Sequence, residues 1–346
     1  MASDTRRKVV LRVGTNADHY QQIFTGFAML ARQGLIDLSC EYKDQGVFAQ
    51  VSGKTIYYDV GDGHRIEEEA LVQCDVYRKR SFSAELCREI DGAEKIKPLG
   101  LNYEVYPDFV SWHEVKRNYL MARGVGQPDG FLGGFRRTLG LLRRGFTPYP
   151  SFRALQDKPK LQKPGVLFLT RTWEPDGYSG HGMPVREEIN ETRAESISRL
   201  RARFGNNCIA GFSPTEHAMK NYPGLIAPVD TSKSSYLKIL REFATVCVAT
   251  TGLHGSIGWK FAEYIAFSKA IVSEPLFFEA PGLNAGEHYA EFENAAQCLE
   301  QVNRLLGDED ACMKMREINQ EYYQTFLSPD KLVLRTLAED DNVGSG

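Results

Sequence analysis

Residues 246–275 read VCVATTGLHGSIGWKFAEYIAFSKAIVSEP. The run opens on VCVAT, a short apolar stretch of strand type. TGLHGSIG follows, a loop with Gly252, Gly255 and Gly258. WKFAEYIAF has helical spacing, and KAIVS is a second apolar run ahead of Glu274 and Pro275. A strand, a loop, a helix and a strand in this order are the repeating unit of a parallel sheet. In such sheets ligands sit beyond the carboxyl ends of the strands, at helix N-termini. His254, Gly255, Ser256, Lys260 and Glu263 therefore fall at a ligand edge, with Glu274 at the next strand end. Ser256, Lys260 and Glu263 are four and three apart, which puts them on one helical face. Phe261, Ala262 and Ile265 lie off that face, toward the sheet. Backbone N–H groups at a helix start, together with Lys260, suit an anionic group such as a diphosphate. A carboxylate one turn further in suits sugar hydroxyls. The plainer alternative is a tight glycine turn, a surface pair between Lys260 and Glu263, and a helix cap from His254.

The order His254-Gly255-Ser256, Lys260, Glu263 and Lys269-Ala270-Ile271-Val272 resembles the C-terminal donor-binding domain of GT-B glycosyltransferases. The resemblance covers roughly residues 165–330 and is only architectural before that. It implies an α/β fold of the GT-B class, two Rossmann-like domains facing a central cleft. It also implies a nucleotide-sugar held by the C-terminal domain as co-substrate, with no cofactor and no bound metal. Glu263 matches a glutamate that contacts the nucleotide ribose in many members. Retaining members often carry a second glutamate eight positions earlier, where this chain has Gly255. Arg171 follows the apolar run 166–170 and matches a basic residue that meets the diphosphate, in keeping with the bidentate reach of arginine. A salt bridge from Arg171 to Glu174 or Glu187 is the other reading.

At 346 residues the chain has room for two domains. A hydrophobic content of 42 % and a charged content of 25 % are those of a globular chain. The net charge of −3 gives no reason to expect nucleic acid. No run approaches the roughly 18 apolar residues of a membrane span, and the opening MASDTRRKVVLRVG lacks the apolar core of a signal peptide. Seven cysteines are scattered, with no CxxC or Cys/His pairing, and read as reduced thiols of a cytoplasmic protein.

In the first half, Lys8–Val13 reads as a strand and Tyr20–Arg32 as a helix, which places the loop 14–19 at a strand's carboxyl end. In a GT-B enzyme that loop faces the cleft. Asp18 and His19 are its ionisable groups, and either type of side chain can take a proton from an acceptor hydroxyl. Asp18 can equally cap the helix. Residues 47–60 read as strands around a Ser-Gly-Lys turn, and Asp59 and Asp62 as turn residues rather than metal ligands. Arg78-Lys79-Arg80 reads either as a grip on an anion or as a solvated rim.

Residues 130–146 carry Arg136, Arg137, Arg143 and Arg144 on one helical side. That is a basic amphipathic helix, either lying on an anionic membrane surface or packed with its basic side in water. The proline-rich stretch 148–164 reads as the linker between domains, 1–155 and 156–330, with 331–346 as a tail. Residues 185–204 read as a charged helix with a solvated face, residues 225–229 as a strand, and Pro329 as the end of a long terminal helix.

The expected activity is transfer of a sugar from a nucleotide-sugar donor to a glycan or lipid-linked glycan acceptor in surface polysaccharide synthesis. The protein would sit in the cytoplasm, with peripheral contact at the inner membrane face. The alternatives are a sugar-nucleotide epimerase of the same fold and a non-catalytic glycan-binding protein.

Overall fold

The computed structural model describes residues 6–15, 18–124, 151–160, 163–174 and 183–338. Two units divide the chain. The first comprises Met1–Leu155, Phe278–Pro281 and Gln324–Gly346, and the second Gln156–Phe277 and Gly282–Tyr323.

The first unit holds a six-stranded sheet of β1 (Arg7–Val13), β2 (Ile36–Tyr42), β3 (Val47–Val51), β4 (Lys54–Asp59), β5 (Val76–Lys79) and β6 (Ile96–Pro98), ordered β2-β1-β3-β4-β5-β6. All neighbours are parallel except β3, which runs against both β1 and β4. The reversal is made by the two-residue turn Ser52-Gly53, both left-handed, with φ of 51° and 81°. That backbone matches the twist of a tight hairpin. The helix Gln21–Arg32 lies over the sheet with Ile23, Phe24, Phe27 and Leu30 in the core.

The final helix, Pro329–Ala338, adds Leu332, Val333 and Leu337 to the same core. Pro329 therefore opens a helix where the sequence reading ends one. Proline suits a first helical position because its missing N–H would have no partner there. The two helices meet so closely that a Cβ on Gly26 would lie 2.2 Å from the Pro329 carbonyl oxygen.

The basic run 78–80 neither grips an outside anion nor forms a solvated rim. All three side chains are buried. Arg78 donates to the Thr336 carbonyl at 3.1 Å, Lys79 pairs with Asp59 at 2.7 Å, and Arg80 with Asp62 at 2.5 Å. Asp59 also accepts from the Tyr77 hydroxyl at 2.5 Å and the Gly61 N–H at 2.8 Å. A buried charge is tolerable only when paired and hydrogen-bonded: Lys79 meets Asp59 at the end of β4, Arg80 meets Asp62 in the turn that follows, and Arg78 meets a carbonyl of the final helix.

The second unit is a five-stranded, wholly parallel sheet of β7 (Val166–Thr170), β8 (Cys208–Phe212), β9 (Val246–Ala249), β10 (Ala270–Ser273) and β11 (Ala290–Glu291), ordered β11-β10-β9-β7-β8. β7, β9 and β10 are buried along their whole length, which is why they read as unbroken apolar runs. Residues 225–229 are not a strand. Pro223–Leu225 forms a 3-10 turn, and only Ile226 bridges Phe212. With Pro223 and Pro228 on either side, a ladder there would lack donors. The stretch 151–160 is anchored more than a linker need be: Leu155 is fully buried, and Asp157 N–H donates to the Ala266 carbonyl at 3.2 Å. All seven cysteines are free and buried. No helix among the described residues is long and apolar enough to cross a membrane. The basic stretch 130–146 lies outside the described residues.

Candidate functional site

In the second sheet the chain leaves β7 toward β8 and returns to β9 on the other side of β7. Strand order reverses there, and crevices at such reversals are the usual ligand sites of parallel sheets. The pairing of β7 with β9 stops at Leu167–Cys247, while β8 stays with β7 as far as Thr170. Beyond Leu167 the crevice is open on the β9 side, and Lys260 fills it. Its ammonium donates to the Leu169 carbonyl.

Lys260 comes from the helix Trp259–Ala266. That helix starts later than the spacing predicts, so Ser256 lies ahead of it and shares no helical face with Lys260 and Glu263. The loop before it closes on itself. Gly252 N–H donates to the Ser256 carbonyl at 2.9 Å, Gly255 N–H to the Gly252 carbonyl at 3.2 Å, and the Ser256 hydroxyl to the Leu253 carbonyl at 3.0 Å. His254 and Gly255 are both left-handed, with φ of 64° and 67°. Glycine adopts that backbone freely and histidine only under strain. The Gly252 and Gly255 amides are thus engaged within the turn. Their work is to shape it, and His254 sits exposed at its tip.

Charge gathers around Lys260. Its pKa is lowered to about 8, chiefly by burial and in smaller part by Arg193, Lys233 and Arg171, with Glu263 opposing the shift. Glu263 is 1 % exposed and ion-paired with Lys233. Arg171 leaves the end of β7 and stacks its guanidinium 4.2 Å from the centre of the Trp173 ring. Its field reaches both Lys260 and Arg193. Glu274, at the end of β10, accepts from the Thr251 N–H at 2.7 Å and its hydroxyl at 2.8 Å. The group holds four cations and two carboxylates. A cavity of about 320 Å³ adjoins it, walled by Ser213, Thr231, Lys233, Tyr236, Trp259 and Glu263. A smaller one, about 50 Å³, lies on the other side of Lys260 toward Ser273 and Tyr264.

Lys233 and Arg193 were not singled out from the sequence. Lys233 opens the helix Lys233–Glu242, capped by Ser232. Asp230 accepts from the Ser232 N–H and the Ser232 and Ser235 hydroxyls, which hold its carboxyl below the usual range. Arg193 sits on the helix Met183–Phe204, whose charged residues read as a solvated face. Yet Arg186, Asn190, Arg193 and Ser196 are all buried. The signal was present: these residues are four and three apart, in line with the buried Ile197 and Leu200.

In the first unit, His19 is half-buried on the wall of a cavity of about 1340 Å³ at the carboxyl edge of the sheet, with Tyr20, Phe48, Tyr57, Asp59 and Glu67. Asp18 begins the 3-10 turn Asp18–Tyr20 and is exposed. The N-cap of the helix Gln21–Arg32 falls on Tyr20, not on Asp18. Among the described residues no group of three or more His, Cys, Asp or Glu is placed to hold a metal ion.

No family model matches the sequence, and no curated protein matches it. Similar solved structures include a glycosyltransferase from Rickettsia africae ESF-5, at 12 % identity over 96 % of this chain and 85 % of that one, with a TM-score of 0.44. A putative UDP-N-acetylglucosamine 2-epimerase from Listeria monocytogenes is similar at 13 % identity over 97 % and 74 %, TM-score 0.43. The C-terminal domain of a glycosyl transferase group 1 family protein from Francisella tularensis is similar at 10 % identity over 50 % and 96 %, TM-score 0.35. The chain has two α/β units in one polypeptide, the second a wholly parallel Rossmann-like sheet, as the GT-B resemblance implies.

Proposed function

We propose that the protein is a glycosyltransferase that moves a sugar from a nucleotide-sugar to a glycan or lipid-linked glycan in surface polysaccharide synthesis, without a metal at the chemical step. The observation that carries this reading is the group of four cations at the strand-order reversal, beside a cavity of about 320 Å³. Sugar transfer releases a nucleoside diphosphate, and negative charge grows on it as the glycosidic bond breaks. Cations already fixed at that place stabilise the growing charge without reorganising.

In this reading Lys260 and Arg171 meet the diphosphate. The cavity of about 320 Å³ takes the nucleoside, with Glu263 toward the ribose hydroxyls and Trp259 and Tyr236 offering ring surface. His254, Gly255 and Ser256 form the turn at the sugar end. His19 is the candidate base for the acceptor hydroxyl and Asp18 its neighbour to test. A lipid-linked acceptor would bring the protein to the inner membrane face, and Arg136, Arg137, Arg143 and Arg144 are the residues whose replacement tests that contact.

The test is a thermal-shift series with the common sugar nucleotides. A bound ligand raises Tm by mass action. A rise with one donor, followed by transfer only when an acceptor glycan is added, supports the proposal. Product formed without acceptor would point to an epimerase, and no rise with any donor to a glycan-binding protein.

A further inference from the structure

We infer that Arg193, with Asn190 beside it, is a positioning residue that fixes the two strand-exit segments carrying the cation site. The inference rests on the diphosphate reading of that site. The helix Met183–Phe204 turns three buried polar side chains to the segment after β7 and holds its backbone almost residue by residue. Arg186 donates to the Glu174 carbonyl. Asn190 accepts from the Trp173 N–H at 2.8 Å and donates to the Trp173 carbonyl at 2.7 Å. Arg193 donates to the Arg171 carbonyl at 2.8 Å. Arg193 also crosses to the segment after β9, where it donates to the Thr251 carbonyl at 3.0 Å and the Thr250 hydroxyl at 2.9 Å. Glu274 holds the same Thr251 by its amide and hydroxyl. One residue is thus gripped by its carbonyl from a cation and by its N–H from a carboxylate.

Only a planar guanidinium reaches three acceptors in these directions; a lysine would keep one. Two carbonyls and a hydroxyl are modest compensation for a buried charge. A residue serving stability alone would do as well apolar. What the arrangement achieves is alignment. With the Arg171 backbone fixed by Arg193, and Trp173 beneath its guanidinium fixed by Asn190, the direction of the Arg171 side chain is set from the helix.

The experiment uses the full-length chain, with pyrophosphate, UDP, GDP and dTDP as calorimetric probes and site-resolved amide exchange as the second readout. Arg193→Met, folded by circular dichroism, is expected to exchange about tenfold faster at residues 171–174 and 250–252, with β10 unchanged. It is expected to bind the best probe about tenfold more weakly, and Arg193→Lys to fall short of wild type. A folded Arg193→Met that binds within about twofold of wild type would overturn the positioning role. If Arg193→Met does not fold, Asn190→Ala decides instead: faster exchange at Trp173 with weaker binding supports the role, and unchanged affinity overturns it. If wild type binds none of the probes, the diphosphate reading fails by itself. Exchange then decides alone, since unchanged rates in Arg193→Met would remove the bracket as well.

Discussion

Lys260 is held where its charge is disfavoured, and that has a measurable consequence. Its pKa of about 8 lies below the ordinary lysine value of 10.5. Between those two values the unfolded chain keeps the proton and the folded chain releases it, so stability rises with pH across the window. Lys269, buried and also lowered to about 8, adds to the rise. Lys260→Met is expected to remove roughly half of this increase in Tm between pH 8 and 10.5, and a rise of unchanged size would show that Lys260 titrates normally. Under the proposed function, diphosphate affinity should weaken as pH climbs past about 8. Glu263 needs a gentler substitution than alanine. It is buried and paired with Lys233, so truncation would leave that lysine's partner missing and lower stability as well as binding. Glu263→Gln keeps the shape, and is expected to weaken nucleotide-sugar binding about tenfold, ~1.4 kcal/mol, by calorimetry. Unchanged affinity would remove Glu263 from the donor site.

Helices and strands differ in how openly the sequence declares them. β7, β9 and β10 are continuous apolar runs because both faces of a parallel sheet are covered, and such runs are plain in VLFLT, VCVA and AIVS. The two-residue β11 has no pattern to read. The helix Met183–Phe204 hid its role because arginines, glutamates and an asparagine look alike whether they face water or a backbone carbonyl; only the four-and-three spacing of Arg186, Asn190 and Arg193 distinguished the inner face. At Gly26 the reason for glycine lies in another helix. Gly26→Ala would press a methyl against the Pro329 carbonyl oxygen, 2.2 Å away. The expected cost is about 1–3 kcal/mol in denaturant unfolding, from overpacking a closed contact. A neutral effect would mean the final helix can move aside.

On the scale of the whole chain, the first unit is assembled from segments far apart in sequence, and its last piece is Gln324–Gly346. That piece supplies Leu332, Val333 and Leu337 to the core. It also supplies the Thr336 hydroxyl, 2.8 Å from the Tyr58 hydroxyl, and the Leu337 carbonyl that accepts from Arg7 at 2.9 Å. Three buried aliphatic side chains are worth roughly 5–9 kcal/mol, comparable to the whole stability of a typical domain. A chain ending at Tyr323 is therefore expected to have a first unit degraded by limited proteolysis, while a fragment near residues 156–323 survives. Equal resistance of both units would show that the final helix is dispensable.

Apolar periodicity and the glycine turn in residues 246–275 by themselves determined β9, β10, the helix between them and the sheet edge where Lys260 stands. Those signals are local: each apolar run is read from its own residues. Which partner each charge meets was decided only in three dimensions. Lys79 with Asp59, Lys233 with Glu263, and Arg193 with Thr250 are 20, 30 and 57 residues apart. The energy of a charged side chain depends on its burial and its partner, and both are properties of the packed chain.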